Sequence, residues 1–444
     1  MRRTTLLLPA LLLASPQALA QTEPGGAEGS SDAQVSAILA NSEREVSEPA
    51  VKLYGFADFS YYGWARTPGQ WAGILNDHIS FAVGKLNVYM DTDIAADWKS
   101  MVEVRFMFLP NGSEALLNGN SIGIPPALSD PLANSGRYDV IAADYTDAGR
   151  PVPWGGVNIE RAYLEHTFSP YLRLRAGRFL TPWGIWNVDH GSPVIIGPLK
   201  PYVIGERFFP EAQTGFELLG SVSVGDNATL GYHLTLSNGR GPVEQYQDYD
   251  ANKALGGRLF LQGNWFGDLT IGASAYGGTV TDRRRQINLA TQQPTWFNFE
   301  HARELSLAAD VRWLWRGLHV QAEAAVHQKV WNDGERPVVA NFTTTVIGTQ
   351  PDLRRIGFYV LAGYRLPLFN LMPYLLYTYY DTDQRSILVG SSRVEELAGG
   401  LNIRLTPRVV FKVEYGRAIF LSPTPGSPNV DSLDRLDAQA AWVF

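Results

Sequence analysis

The chain ends on Arg435-Leu436-Asp437-Ala438-Gln439-Ala440-Ala441-Trp442-Val443-Phe444. Taken in steps of two from the end, Phe444, Trp442, Ala440, Ala438 and Leu436 share one face; Val443, Ala441, Gln439, Asp437 and Arg435 share the other. Successive side chains of a strand point to opposite faces, so this segment is a strand with one apolar and one wetter side. Such a strand suits a wall between lipid and an aqueous interior.

The same alternation recurs in sixteen segments, near 51–65, 79–95, 98–109, 157–168, 171–181, 213–224, 228–238, 253–262, 268–280, 302–316, 318–331, 354–366, 370–382, 393–405, 408–420 and 432–444. In the second, Leu86, Val88, Met90 and Ile94 oppose Lys85, Asn87, Tyr89, Asp91 and Asp93; in the tenth, Leu305, Leu307, Ala309, Val311, Trp313 and Trp315 oppose Ser306, Asp310 and Arg312. The connections alternate between short ones, such as Ala96-Asp97, Ser169-Pro170, Arg316-Gly317 and Thr406-Pro407, and long ones at about 66–78, 110–156, 182–212, 239–252, 281–301, 332–353, 383–392 and 421–431. Short periplasmic turns, long extracellular loops and an even strand count are the pattern of a transmembrane antiparallel β-barrel; a soluble sandwich has no reason to sort its loops this way. The reading is an all-β protein, a barrel of 16 strands over residues 51–444. Trp98, Tyr171, Trp265, Phe266, Trp313, Trp315, Phe369, Trp442 and Phe444 fall mostly beside the short turns, where an interfacial aromatic girdle belongs.

The beginning of the chain fits export. Met1-Arg2-Arg3, an apolar stretch from Leu6 to Ala14 and the small-residue exit Ala18-Leu19-Ala20 form a signal peptide over residues 1–20, cut after Ala20. Residues 21–50, small and polar, read as a flexible periplasmic lead, too short for a plug. No later segment holds the roughly twenty apolar residues of a membrane helix. Aromatic residues make up 12%, charged residues only 18%, and Cys is absent, which excludes disulfide and thiol chemistry. The formal charge of −7 becomes −9 without Arg2 and Arg3 (35 basic against 44 acidic residues), and an acidic exported chain is no nucleic-acid binder.

Three stretches resemble the phosphate-selective (O/P-type) porin superfamily: Leu53-Tyr54-Gly55-Phe56-Ala57-Asp58, Ile159-Glu160-Arg161-Ala162-Tyr163-Leu164-Glu165, and Leu174-Arg175-Ala176-Gly177-Arg178-Phe179-Leu180-Thr181-Pro182-Trp183-Gly184. The terminal Phe444 likewise resembles the signature that barrel insertion machinery reads. The resemblance implies a sixteen-stranded homotrimer in the outer membrane of a Gram-negative bacterium, in contact with lipid and lipopolysaccharide, that passes small hydrophilic solutes. It also implies that residues 182–212, which join the fifth and sixth strands, fold inward as a constriction loop. The sequence departs from the phosphate-specific members in the charges that alternation points inward, which are mixed rather than a dense basic ladder.

The expected pore-lining set is Arg105, Arg161, Arg173, Arg175 and Arg258 from the wall, with Asp189, Lys200, Glu206 and Arg207 from the loop. Arginine rows opposite loop carboxylates set up a transverse field that favours anions such as phosphate or small carboxylates; alternatively these arginines pair with Glu103 and Glu165 and only fill a polar wall. A non-conducting structural or adhesive barrel is the rival function. The seven histidines lack metal-ligand spacing, and Asp189-His190-Gly191-Ser192 is no triad by adjacency alone. Neither catalysis, a metal nor a cofactor is expected.

Overall fold

A computed structural model of the chain describes residues 50–66, 80–109, 156–205, 208–240, 251–287, 294–332, 338–340, 346–349, 352–382, 391–423 and 432–444. The expected signal peptide, the lead up to residue 49, and residues 110–155 of the second long loop lie outside them. In chain order the strands are β1 (Ala50–Arg66), β2 (Ser80–Ala95), β3 (Trp98–Leu109), β4 (Gly156–Ser169), β5 (Leu172–Leu180), β6 (Ala212–Val224), β7 (Ala228–Ser237), β8 (Ala254–Asn264), β9 (Asp268–Ile287), β10 (Pro294–Trp315), β11 (Leu318–Trp331), β12 (Val338–Ala340), β13 (Val346–Thr349), β14 (Leu353–Tyr364), β15 (Leu371–Thr382), β16 (Ser391–Thr406), β17 (Val409–Pro423) and β18 (Ser432–Val443). β12 and β13 form a separate small hairpin, and the other sixteen close into one antiparallel barrel.

Each of the sixteen alternating segments is a barrel strand. The largest departure is at the far end of β9 and β10, where most of the expected 281–301 loop is strand, paired as far as Ile287↔Pro294. The sequence Thr281-Asp282-Arg283-Arg284-Arg285-Gln286 holds no apolar residue. A strand that projects beyond lipid has water on both sides, so its apolar period disappears although its hydrogen bonding does not. At the other end the chain turns tightly. Arg316 and Gly317 both take left-handed backbone angles (φ 47° and 89°), matching the primed hairpin turn whose twist suits the flanking strands.

The seam is β1 against β18, with Phe56 opposite Val443 and Ser60 opposite Gln439. Gly55 and Phe444 exchange both backbone hydrogen bonds across it, at 3.0 and 2.9 Å. Closure removes every edge strand, which is what permits a sheet to sit in lipid, where no water is present to satisfy open backbone groups.

Burial is inverted relative to a soluble protein. Leu53, Phe59, Leu234, Leu305, Leu307, Leu397, Tyr415, Leu436 and Trp442 are exposed on the outer face, while Asp58, Asn87, Glu103, Glu217, Ser306, Glu414 and Asp437 are buried inside. Trp98, Tyr171, Trp265, Phe266 and Phe369 are exposed beside the tight turns. The barrel also holds an apolar core within its lumen, built from the β5–β6 connection and one sector of the inner wall.

Candidate functional site

Residues 181–211, here called the strap, leave β5 and return as β6, with one helical turn, α1 (Tyr202–Gly205). Trp183, Trp186, Ile195, Ile196, Val203, Ile204, Phe208 and Phe209 are all buried, packed with Tyr359, Leu361, Met372, Tyr374 and Leu376 of β14 and β15. Trp183 stacks on Phe209 at 4.5 Å between centroids, and Trp186 meets Tyr359 edge-on at 5.7 Å. A strap so rich in aromatic and aliphatic residues loses free energy in water and regains it against an apolar wall, so the inner faces of β14 and β15 supply its seat.

Polar contacts fix the register of the strap. Trp186 N donates to Glu323 on β11 (2.8 Å), Gly184 N to Ser274 on β9 (3.2 Å), and Ser192 Oγ to Asp58 on β1. Asn402 and Arg404 on β16 donate to the carbonyls of Ile196 (2.9 Å) and Pro193 (2.8 Å). Lys412 on β17 donates to Ser192 O (2.6 Å) and Gly197 O (3.1 Å). Only a path across the interior reaches partners spread over so much of the wall. Gly184 is required at its place: its φ is +54°, and a Cβ there would lie 1.8 Å from Glu323 Oε2.

The strap leaves open the sector of wall made by β4 to β8. The cleft between them holds about 840 Å³, open solvent included, and is lined on the wall side by Arg161, Arg175, Glu217, His233 and Arg258, with Arg312 from β10. Pro182, Ile185, Val188 and Asp189 line the strap side. Strand register assembles the basic wall. Asn87 pairs with Arg105, Glu103 with Arg161, and Glu165 with Arg175, while Lys85 lies two residues above Asn87 and Arg173 two below Arg175. Two residues of strand span about 7 Å, so Lys85, Arg105, Arg161, Arg175 and Arg173 descend as a stair across β2 to β5.

Each of the five wall arginines of the expected set has a carboxylate partner. Arg105 pairs with Glu160 and lies 3.9 Å from Glu211; Arg161 is 2.6 Å from Glu103; Arg173 is 3.6 Å from Glu165. Arg175 bridges Glu165 (2.5 Å) and Glu217 (3.2 Å), and Arg258 holds Asp310 at 2.5 Å. Depth distinguishes the partners. The Arg175 side chain is 16% exposed against 2% for Glu217, and Arg258 is 11% exposed against 0% for Asp310. In both pairs the guanidinium group is the more exposed partner. Asp189 meets Arg312 at 3.1 Å across the cleft. Lys200 pairs with Glu211 within the strap; this ammonium holds the Glu211 carboxyl down to about 2. Glu206 and Arg207 lie outside the described residues.

Arg312, His233, Glu217 and Asp310 were missing from the expected set. Alternation places all four inward, but nothing local marks them as neighbours of Arg175 or Asp189. The Asp-His-Gly-Ser run separates: Asp189 turns to Arg312, His190 Nε2 to Glu160 (3.0 Å), and Ser192 to Asp58, so no hydrogen-bonded chain links the three. Glu103, Glu160 and His190 do bring ligand atoms within 4.8 Å of one another, a grouping that histidine spacing could not disclose. Arg161 and Arg105 already neutralise the two carboxylates. A divalent cation would add charge to a buried, balanced cluster, which is costly; the cluster ties the strap to β4.

A closed sixteen-stranded barrel with an apolar exterior, a polar inner wall and an inward strap has the architecture of an outer-membrane β-barrel, a multi-pass protein of the outer membrane. No protein-family model and no curated protein matches the sequence. Among solved structures the chain is similar to an anion-selective porin from Comamonas acidovorans, with 12% identity and a TM-score of 0.50 over 89% of this chain and 100% of that one. It is also similar to OmpF of Salmonella typhi, solved with daunomycin, with 13% identity and a TM-score of 0.50 over 89% of this chain and 97% of that one. At such identities the likeness is one of fold.

Proposed function

We propose that the chain is a porin for passive diffusion of small hydrophilic solutes across the outer membrane, favouring anions such as small carboxylates or phosphate. The observation that carries this reading is the order of charges in the cleft: Arg175 and Arg258 reach the solvent while Glu217 and Asp310 lie behind them. A solute in the cleft meets the donor side of each pair, and low-dielectric walls on the strap side strengthen that field. Tight turns would face the periplasm and the long connections the exterior. The homotrimer that the sequence resemblance implies is tested by an unheated gel, on which the native assembly should run as three copies.

The selectivity is tested in planar bilayers by replacing Arg173 and Arg175 with Ala and measuring reversal potentials in a salt gradient. The anion-to-cation permeability ratio should fall about fivefold, the effect of changing the local potential by about 0.5 kcal/mol per unit charge, which anion and cation feel with opposite sign. An unchanged ratio would sink the anion preference. Absence of any conductance step in the unaltered protein would instead favour a structural or adhesive barrel.

A further inference from the structure

We propose that the cleft selects, among anions, those that carry a planar apolar group, aryl carboxylates above all. This rests on the porin reading and narrows its solute. Two of the cleft's guanidinium groups stand over aromatic rings: Arg175 over Tyr163, 4.7 Å from the ring centroid, and Arg258 over Phe260 at 4.9 Å. Both rings are buried, so each guanidinium is held between a ring beneath it and the cleft in front. A guanidinium fixed in this way keeps one planar face toward the cleft, and Arg258, which gives Nε and Nη2 to Asp310, keeps Nη1 for a solute.

The opposite wall has a different chemistry. On the strap side Ile185 and Val188 line the cleft, and Asp189 is engaged by Arg312. An inorganic oxyanion entering this slot gives up water on the strap side, where the side chains of Pro182, Ile185 and Val188 offer no hydrogen bond in return, which is a net cost. An aryl carboxylate avoids that cost: its carboxylate takes the guanidinium edge, and its ring lies between the guanidinium face and the aliphatic surface. A mostly apolar slot with a few fixed polar groups is the usual form of a site for such an amphipathic ligand.

The test uses the purified full-length protein in planar bilayers, with benzoate, acetate, phosphate and benzyl alcohol compared at equal concentration. Benzoate should occupy the channel, read as reduction of the single-channel chloride current, at roughly tenfold lower concentration than acetate, the scale of a partly buried aryl face. Phosphate should rank with acetate, and benzyl alcohol, which lacks the charge, should leave the current unaltered. Val188→Asn should remove most of the benzoate advantage. An anion-selective channel in which acetate equals or exceeds benzoate overturns the aryl preference alone. A cation-selective or silent barrel overturns the proposed function with it.

Discussion

Lys412 carries a buried amino group whose three hydrogen bonds go to neutral acceptors: Ser192 O, Gly197 O and Gln439 Oε1, the last at 3.0 Å. It ties the strap's backbone to β17. Lys412→Met keeps the length of the side chain and removes the donor, which costs about 1–3 kcal/mol for each acceptor left unsatisfied. The expected result is a lower unfolding temperature with noisier open-channel current; identical noise would mean that the strap is held without it. The Lys200–Glu211 pair gives a pH dependence. The Glu211 carboxyl is held down to about 2 by Lys200, so the pair's contribution is complete above the ordinary glutamate range and is lost as the pH falls through about 2. Glu211→Gln and the parent protein should differ in current noise at pH 7 and at pH 4, and converge only near pH 2. Alternation made the inward direction of Arg161, Arg175 and Arg258 legible, because period two is a local property. The Asp189–Arg312 pair was not, since its members are 123 positions apart.

At the scale of elements, the strands were the easiest part to read and the strap the hardest. Hydrophobic period and turn residues define a strand within a dozen positions; they missed the extension of β9 and β10 past Val280 and Ala302, and the small β12–β13 hairpin within the expected 332–353 loop. The strap's composition indicated burial, yet its seat depends on Tyr359, Leu361, Met372 and Leu376 standing together on the inner face of β14 and β15. That adjacency follows from strand pairing, which a linear chain does not display. Excising residues 184–208 in favour of a short Gly-Ser linker should raise single-channel conductance several-fold. It should also lower thermal stability, because four large apolar side chains on the inner wall would then face water at about 1.5–3 kcal/mol each. A wider channel of unchanged stability would mean that the strap is only a filter and not part of the barrel's core.

For the whole molecule, strand parity and the wet-inside, greasy-outside inversion were enough to place closure and membrane, whereas the stagger between strands was not accessible. The stair of cations from Lys85 to Arg173 exists only because of that stagger, as does the meeting of β8 and β10 with β5 around one cleft. The strap's seating also limits how such a channel can close. Lifting it out of the lumen would expose Trp183, Trp186, Ile195, Ile196, Val203, Ile204, Phe208 and Phe209, at an expense above about 10 kcal/mol. By population that is fewer than about one molecule in ten million. A potential of 100 mV supplies only about 2.3 kcal/mol for each elementary charge that crosses the field, far too little to unseat the strap. A membrane potential therefore cannot work this strap as a swinging door.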